Sequence, residues 1–549
     1  MTTRPASPAT THDSSSNRDV THSARRWWAL VAIAASVLVV GLDLTVLNLA
    51  LPSMSVDLHA STGDLQWIVD AYSLVLAALI LPAGLLGDRY GRKRLLVIAL
   101  VLFGASSLAC AYSASVGELI AARAVLGIGA AAIFPLALSV LPVLFDGPDR
   151  QRAVAAIGGA SMLSFPIGPI VGGYLLDHFW WGSVFLINVP VVVIALIAVT
   201  VLLPESRSAA RPSIDVAGLL VSSAGLVALT YGFIKAGQDG WSDVTAVALI
   251  AAGVVALALL PLVERRVARR GGHPLADLRL FRSADFRWGT ILATLISFAM
   301  FGMFFALPQY FQGVRGADAL GSGIRLLPLV GGMLVGMVGG TRLAGPRRAR
   351  DGESAARPAA AGPRTIVTAG YLLMAAAMGL GALTTLGSST GYTLAWVAVA
   401  GLGLGLVMPA AMGIALGALS AERSGAGSAL LTAMRQVGST IGVAVLGTVI
   451  STSYGSRVAS AAAALPAQAG SAVRSSVGSG VAVAGKLGSS SLLDTVRSAF
   501  VHGMDLMLWT CGGIAVGCAL LAVIFLRTRQ GNGDAADTAG SEAGSLSVM

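Results

Sequence analysis

Charge is scarce in this sequence. Asp, Glu, Lys and Arg make up 12% of 549 residues against 55% hydrophobic ones, too few polar groups to cover a soluble surface of that size. Lysine is almost missing. Lys93, Lys235 and Lys486 are the only three, and none is followed by Ser or Thr, so no Gly-x-x-x-x-Gly-Lys-Ser/Thr loop exists. That speaks against an ATP-driven pump. Cysteine is equally rare: Cys110, Cys511 and Cys518 fall in or at the ends of apolar runs, without metal spacing or a disulfide framework. The histidines are scattered, with no H-x-x-x-H pair, and no nucleophile–base or metal cluster suggests an enzyme. The formal charge of +10 does not point to nucleic acid, because the arginines cluster in short segments between apolar runs, where they report membrane topology.

Apolar runs are what the chain has in quantity, and its mean hydropathy is +0.78. Runs long enough to cross ~30 Å of hydrocarbon number fourteen. They lie at 27–51, 63–86, 95–113, 118–144, 152–176, 181–203, 214–233, 243–263, 287–311, 322–344, 366–385, 391–418, 426–451 and 503–527. The expected architecture is all-α and integral to a membrane. A first six-helix half (27–203) and a second (287–527) flank a segment of two linking helices and a basic linker (204–286). Residues 1–26 and 528–549 read as disordered tails, 345–364 as a linker, and 452–502 as a long outward loop, with Leu492 to Val501 at the surface. An even number of spans puts both termini on one side, and the arginine-rich segments place that side in the cytoplasm of a multi-pass cell-membrane protein.

The densest polar stretch between runs is Gly84-Leu85-Leu86-Gly87-Asp88-Arg89-Tyr90-Gly91-Arg92-Lys93-Arg94. Its glycines let helix ends approach closely, and Asp88 can accept from helix amides or an arginine, which makes a latch of Gly84, Asp88, Arg89, Gly91 and Arg92.

Charges inside spans cost roughly 2.5–3.5 kcal/mol each, so each needs a reason. Asp43 lies within the first span, where a carboxylate can take a proton or a lipophilic cation, two ligands competing for one charge; Asn48, one turn on, can hydrogen-bond across helices. Asp70 lies early in the second span between Trp67 and Tyr72, whose aromatic faces suit a delocalised cation or an interfacial belt. Arg123, the one cation within the fourth span, requires a partner, either Asp43 or Asp70. Pro166-Ile167-Gly168-Pro169 with Gly172 and Gly173 composes a hinge in the fifth span. Arg435 sits about a third of the way into its span, and Asp505, near His502, opens the last span on the outer side.

Together these motifs resemble the fourteen-span drug:proton antiporter branch of the major facilitator superfamily, which includes quaternary-ammonium multidrug exporters. The Gly84–Arg94 stretch is similar to the family's loop signature, the Asp43 stretch to its first-span motif, and Arg123 to the fourth-span arginine implicated in proton coupling. Gly168-Pro169-x-x-Gly172-Gly173 resembles the fifth-span motif of antiporters. Two positions depart: Leu126 stands where the branch usually has glutamine, and Ser164 where it has glycine. The resemblance implies a proton-coupled exporter of small lipophilic, cationic drugs, antiseptics or dyes, working as a monomer by alternating access. It implies no cofactor beyond the proton gradient, and a latch that holds the outward-facing state. Export of one antibiotic or natural product, or less readily uptake by symport, are the alternatives.

Overall fold

A computed structural model describes residues 14–145, 147–207, 215–269, 278–344, 361–419 and 424–526; the tail from residue 528 and the greater part of the 345–364 linker lie outside them. Fourteen helices in the described residues are long and apolar enough to cross a membrane. They are termed spans 1 to 14 in chain order. Spans 1 to 6 are Ser14–Asp57, Thr62–Tyr90, Arg92–Ala111, Val116–Leu144, Gly147–His178 and Ser183–Leu202. Spans 7 and 8 are Val216–Asp239 and Val244–Arg269. Spans 9 to 14 are Ala284–Val314, Ala319–Ala344, Pro363–Gly381, Thr390–Gly417, Ser424–Ala463 and Ser490–Phe525.

Local chemistry sets where these helices start. Ser61 and Asp64 form a reciprocal capping box ahead of span 2, and Ser115, Asp215, Ser283, Ser389 and Ser489 each accept a backbone amide at the start of a span. Spans 2 and 3 are separated by Gly91 alone, at φ 114°, a conformation that an L side chain resists. Glu205, beyond span 6, accepts from the amides of Lys93 and Arg94 (both 3.2 Å), so a carboxylate covers the N-terminus of span 3.

Spans 1–6 and 9–14 each enclose a hydrophobic core, the first around Tyr72, Phe103, Leu126 and Phe185, the second around Met303, Tyr371, Trp396 and Leu508. Spans 7 and 8 pair through glycines: a Cβ on Gly253 would meet the Leu229 amide at 2.7 Å, and one on Gly232 the Ile250 amide at 2.8 Å. Span 7 leans on the halves through a tilted Trp67–Tyr231 contact and the Thr448 hydroxyl donated to the Phe233 carbonyl (2.9 Å). Only 11% of the apolar window of span 8 is buried, which leaves that helix for lipid.

The halves meet at the face opposite the one where span 1 begins, here the distal face. Asp177 caps span 10 across the seam, accepting from the amides of Ala319 and Leu320 (both 3.0 Å). Gln312, in a π-turn that ends span 9, donates to the Leu49 carbonyl (2.9 Å). A Cβ on Gly173 would meet Leu320 Cα at 2.6 Å, and one on Gly323 would strike the Pro169 carbonyl. The hydrogen bonds that join the halves through Ser55, Thr62, Gln66, Gln312 and Asp177 all lie toward this face.

Two expectations change. Span 1 begins at Ser14, so residues 14–26 continue a helix rather than a loose tail. The outward loop at 452–502 is helical: span 13 runs on to Ala463, helices Ala467–Ser475 and Val477–Leu487 follow, and span 14 starts at Ser490. Leu492, Val496 and Phe500 are buried, not superficial. This insert closes the seam, because the Ser55 and Ser476 hydroxyls hydrogen-bond to each other (2.5 Å) and Thr62 donates to the Ser475 carbonyl (3.0 Å). Alanine, serine and glycine dilute its hydropathy below the level of a span, which is why it reads as a loop.

Leucine at Gly323 cannot be fitted with the distal seam closed. Spin labels at the exposed Val56 and Leu386 should report longer distances in Gly323→Leu than in the parent; an unchanged distribution would mean the seam tolerates the side chain.

Candidate functional site

Span 4 delivers Arg123 into the first half, where it is fully buried. Its Nη1 donates to Asp43 Oδ2 at 2.6 Å and its Nε to the Ile68 carbonyl at 3.1 Å. The guanidinium lies 4.4 Å over the Tyr72 ring and 5.9 Å from that of Phe185. The second oxygen of Asp43 accepts from Asn188 Nδ2 (3.3 Å), which also donates to Ser107 (3.0 Å). Spans 1, 2, 3, 4 and 6 thus converge on one ion pair. Of the two carboxylates open to Arg123, it is Asp43 that takes it. Asn188 and Ser107 were not singled out in the sequence, although a lone Asn within an apolar run was the available signal. Leu126, one turn beyond Arg123, is buried, and Arg123 Nη2 has no hydrogen-bond partner.

Asp70 is fully buried, and neither of its oxygens has a hydrogen-bond partner. One turn earlier on the same helix face, Gln66 donates to the carbonyls of Val443 (3.2 Å) and Ala444 (2.9 Å) in span 13. Asp70 is therefore on the face of span 2 turned to the second half. A bare carboxylate in such a place costs several kcal/mol, which a proton or a bound cation would offset. The neighbouring aromatics already have partners: Trp67 packs at a tilt against Tyr231, ring centroids 5.8 Å apart, and Tyr72 holds Arg123. Asn48 donates to the Leu44 carbonyl of its own helix (2.9 Å) and makes no bond across helices.

The glycines are contact points. A Cβ on Gly84 would lie 3.7 Å from Pro135, one on Gly87 would strike Leu136, and one on Gly91 would meet Glu205 at 2.7 Å. The Arg92 amide donates to Ser206 (2.9 Å), and the Arg89 guanidinium lies 5.5 Å over the Tyr90 ring. These contacts join spans 2, 3, 4 and 6 inside the first half; the Asp88 side chain lies outside the described residues. Gly168 and Gly172 pack on Thr45 and Val46 of span 1, Gly173 packs on span 10, and the helix runs unbroken past Pro166 and Pro169. The motif makes close packing. Gly323, its counterpart across the seam, was not singled out.

In the second half, Arg435 Nε donates to Ser297 (3.3 Å) and its Nη1 approaches Met412 Sδ at 3.6 Å. Asp505 is half-buried four turns into span 14, because that helix starts at Ser490; it does not open the span as its sequence position implied.

Removing one member of the Asp43–Arg123 pair leaves a buried charge alone, which costs about 3–5 kcal/mol. Arg123→Met should therefore lower thermal stability sharply, and adding Asp43→Asn should recover part of the loss; additive losses in a double-mutant cycle would contradict a direct pair.

The Major Facilitator Superfamily model matches residues 33–352. The chain is 34% identical to the tetracenomycin C resistance and export protein of Streptomyces glaucescens, over 91% of each. It is likewise 34% identical to the multidrug efflux pump LfrA of Mycolicibacterium smegmatis, over 87% of this chain and 92% of that one. It is 30% identical to the methyl viologen resistance protein SmvA of Salmonella typhimurium, over 91% and 97%. Among solved structures, a bacterial homologue of the lysosomal transporter Spinster, inward-facing and unoccupied, superposes with a TM-score of 0.62 at 16% identity, over 91% of this chain and 98% of that one. Two six-helix halves, two intercalated spans and these likenesses agree: the chain belongs to the Major Facilitator Superfamily, as a multi-pass membrane transporter and not an enzyme.

Proposed function

We propose that this transporter is a proton-coupled exporter of small lipophilic drugs, and that Asp70 is where proton and substrate cation compete. One observation carries this reading: Asp70 is fully buried without a partner on the face between the halves, whereas Asp43 is already matched by Arg123. The names of the relatives, drug and antibiotic export or resistance proteins, support the export direction.

With the distal seam closed, the substrate path in this conformation is assigned to the N-terminal face. The distribution of arginines supports assigning that face, with both termini, to the cytoplasm of the cell membrane. Substrate entering from the cytoplasm or inner leaflet meets Asp70 and displaces its proton. Opening of the seam at Asp177, Gln312 and the Ser55–Ser476 contact then exposes the carboxylate outside, where a proton displaces the substrate. The Asp43–Arg123 pair, reached through Ile68 two residues before Asp70, transmits the charge state of span 2 to spans 1 and 4. The Gly84–Arg92 segment is the proposed latch of the outward-facing state; the contacts of Gly84, Gly87 and Gly91 here are with the first half. The monomer is taken as the working unit.

In everted vesicles an ethidium pulse should dissipate an established pH gradient. Asp70→Asn and Asp43→Asn should each reduce that response at least about tenfold, the weight of roughly 1.4 kcal/mol. Undiminished exchange in Asp70→Asn would refute the proposed site, and no response to ethidium, benzalkonium or methyl viologen would favour the second reading, a dedicated exporter of one natural product.

A further inference from the structure

Arg435 is a half-buried cation in the second half that this mechanism does not use. Resting on the export reading above, we infer that it forms an oxyanion subsite, and that the favoured substrates are amphoteric: a lipophilic ring system with a cationic end and an acidic oxygen. The guanidinium has five donors, and its bonds are a hydroxyl at 3.3 Å and a thioether at 3.6 Å. Among the described residues no carboxylate lies within ion-pair distance of it. Arg123 in the first half shows what a resident cation requires here: a carboxylate at 2.6 Å and aromatic faces. The second-half arginine lacks that company.

Ser297, Phe301 and Phe304 lie at i, i+4 and i+7 on span 9, one helix face, and Phe304 packs across the halves against Phe165 of span 5, ring centroids 6.1 Å apart. Arg435 bonds to Ser297, the end of that face nearer the N-terminal side. Beside it, Gln436 carries a buried amide nitrogen with no partner. Met412 and Met434, half-buried, supply adaptable apolar surface. Gln66 fixes the register of span 2 against residues 443 and 444, so Asp70, four residues further, lies level with about residue 440. That is roughly 7 Å of helix rise from Arg435, the length of two to three fused rings. An acid in one half and an arginine without a carboxylate partner in the other thus lie at neighbouring levels of the bundle.

Rhodamine B and its ethyl ester test this, since they share the cationic ring system and differ by one carboxylate. Fluorescence polarisation on the purified full-length transporter should give rhodamine B the lower Kd, by about tenfold. Arg435→Gln should remove the preference by weakening rhodamine B while leaving the ester within about twofold, and Arg435→Lys should restore part of it, which shows that the loss is of charge and not of fold. Equal affinities in the parent, or a parallel loss of both dyes in Arg435→Gln with no recovery in Arg435→Lys, would overturn the subsite while leaving the exporter intact. Binding of neither dye would contradict the export reading itself and this inference with it.

Discussion

An arginine in an apolar interior keeps its proton, so the chain around it must supply an anion and acceptors. Arg123 imposes that demand on five of the six helices of the first half. Asp43, the Ile68 carbonyl, Asn188 and the rings of Tyr72 and Phe185 answer it, and each arrives on a different turn of a packed helix. Once Asp43 is committed in this way, Asp70 is left as the acid with nothing to bind. The division of labour between two carboxylates 27 residues apart follows from which one the arginine can reach.

A second constraint is the closeness of the halves at the distal face. Backbone meets backbone there through Gly173 and Gly323, and Asp177 lies over the N-terminus of span 10, where the helix dipole favours a negative charge. The hydrogen bonds across it are few, and each half keeps most of its own core. The seam can therefore be undone largely by moving the halves as bodies, with only residues such as Leu49, Phe305, Ala433 and Val443 at the shared boundary changing neighbours.

Much of this was legible in the sequence because lipid enforces simple rules. Each span must satisfy its own backbone, so length and hydropathy found all fourteen, including the two between the halves. Buried charges are rare enough that Asp43, Asp70, Arg123 and Arg435 stood out individually. Their partners did not, since pairing depends on which turns of distant helices face one another. The glycine–proline stretch of span 5 read as a hinge because proline removes a helix hydrogen bond; in this conformation the helix is unbroken and its glycines are contacts, a use that composition does not separate from bending. Glu205, Asp177 and Gly323 were passed over because acids near span ends and glycines in spans are common, and only geometry shows which helix they meet. The helical insert at 464–489 was hidden by its small residues, whose burial comes from packing and not from hydropathy.

The central claim is that Asp70, and not Asp43, exchanges its proton for substrate. Proton release on adding ethidium to the purified transporter in weakly buffered solution tests it most directly. The account predicts a release near one proton per bound ethidium in the parent, retained in Asp43→Asn and absent in Asp70→Asn. Release that persists in Asp70→Asn and vanishes in Asp43→Asn would contradict it.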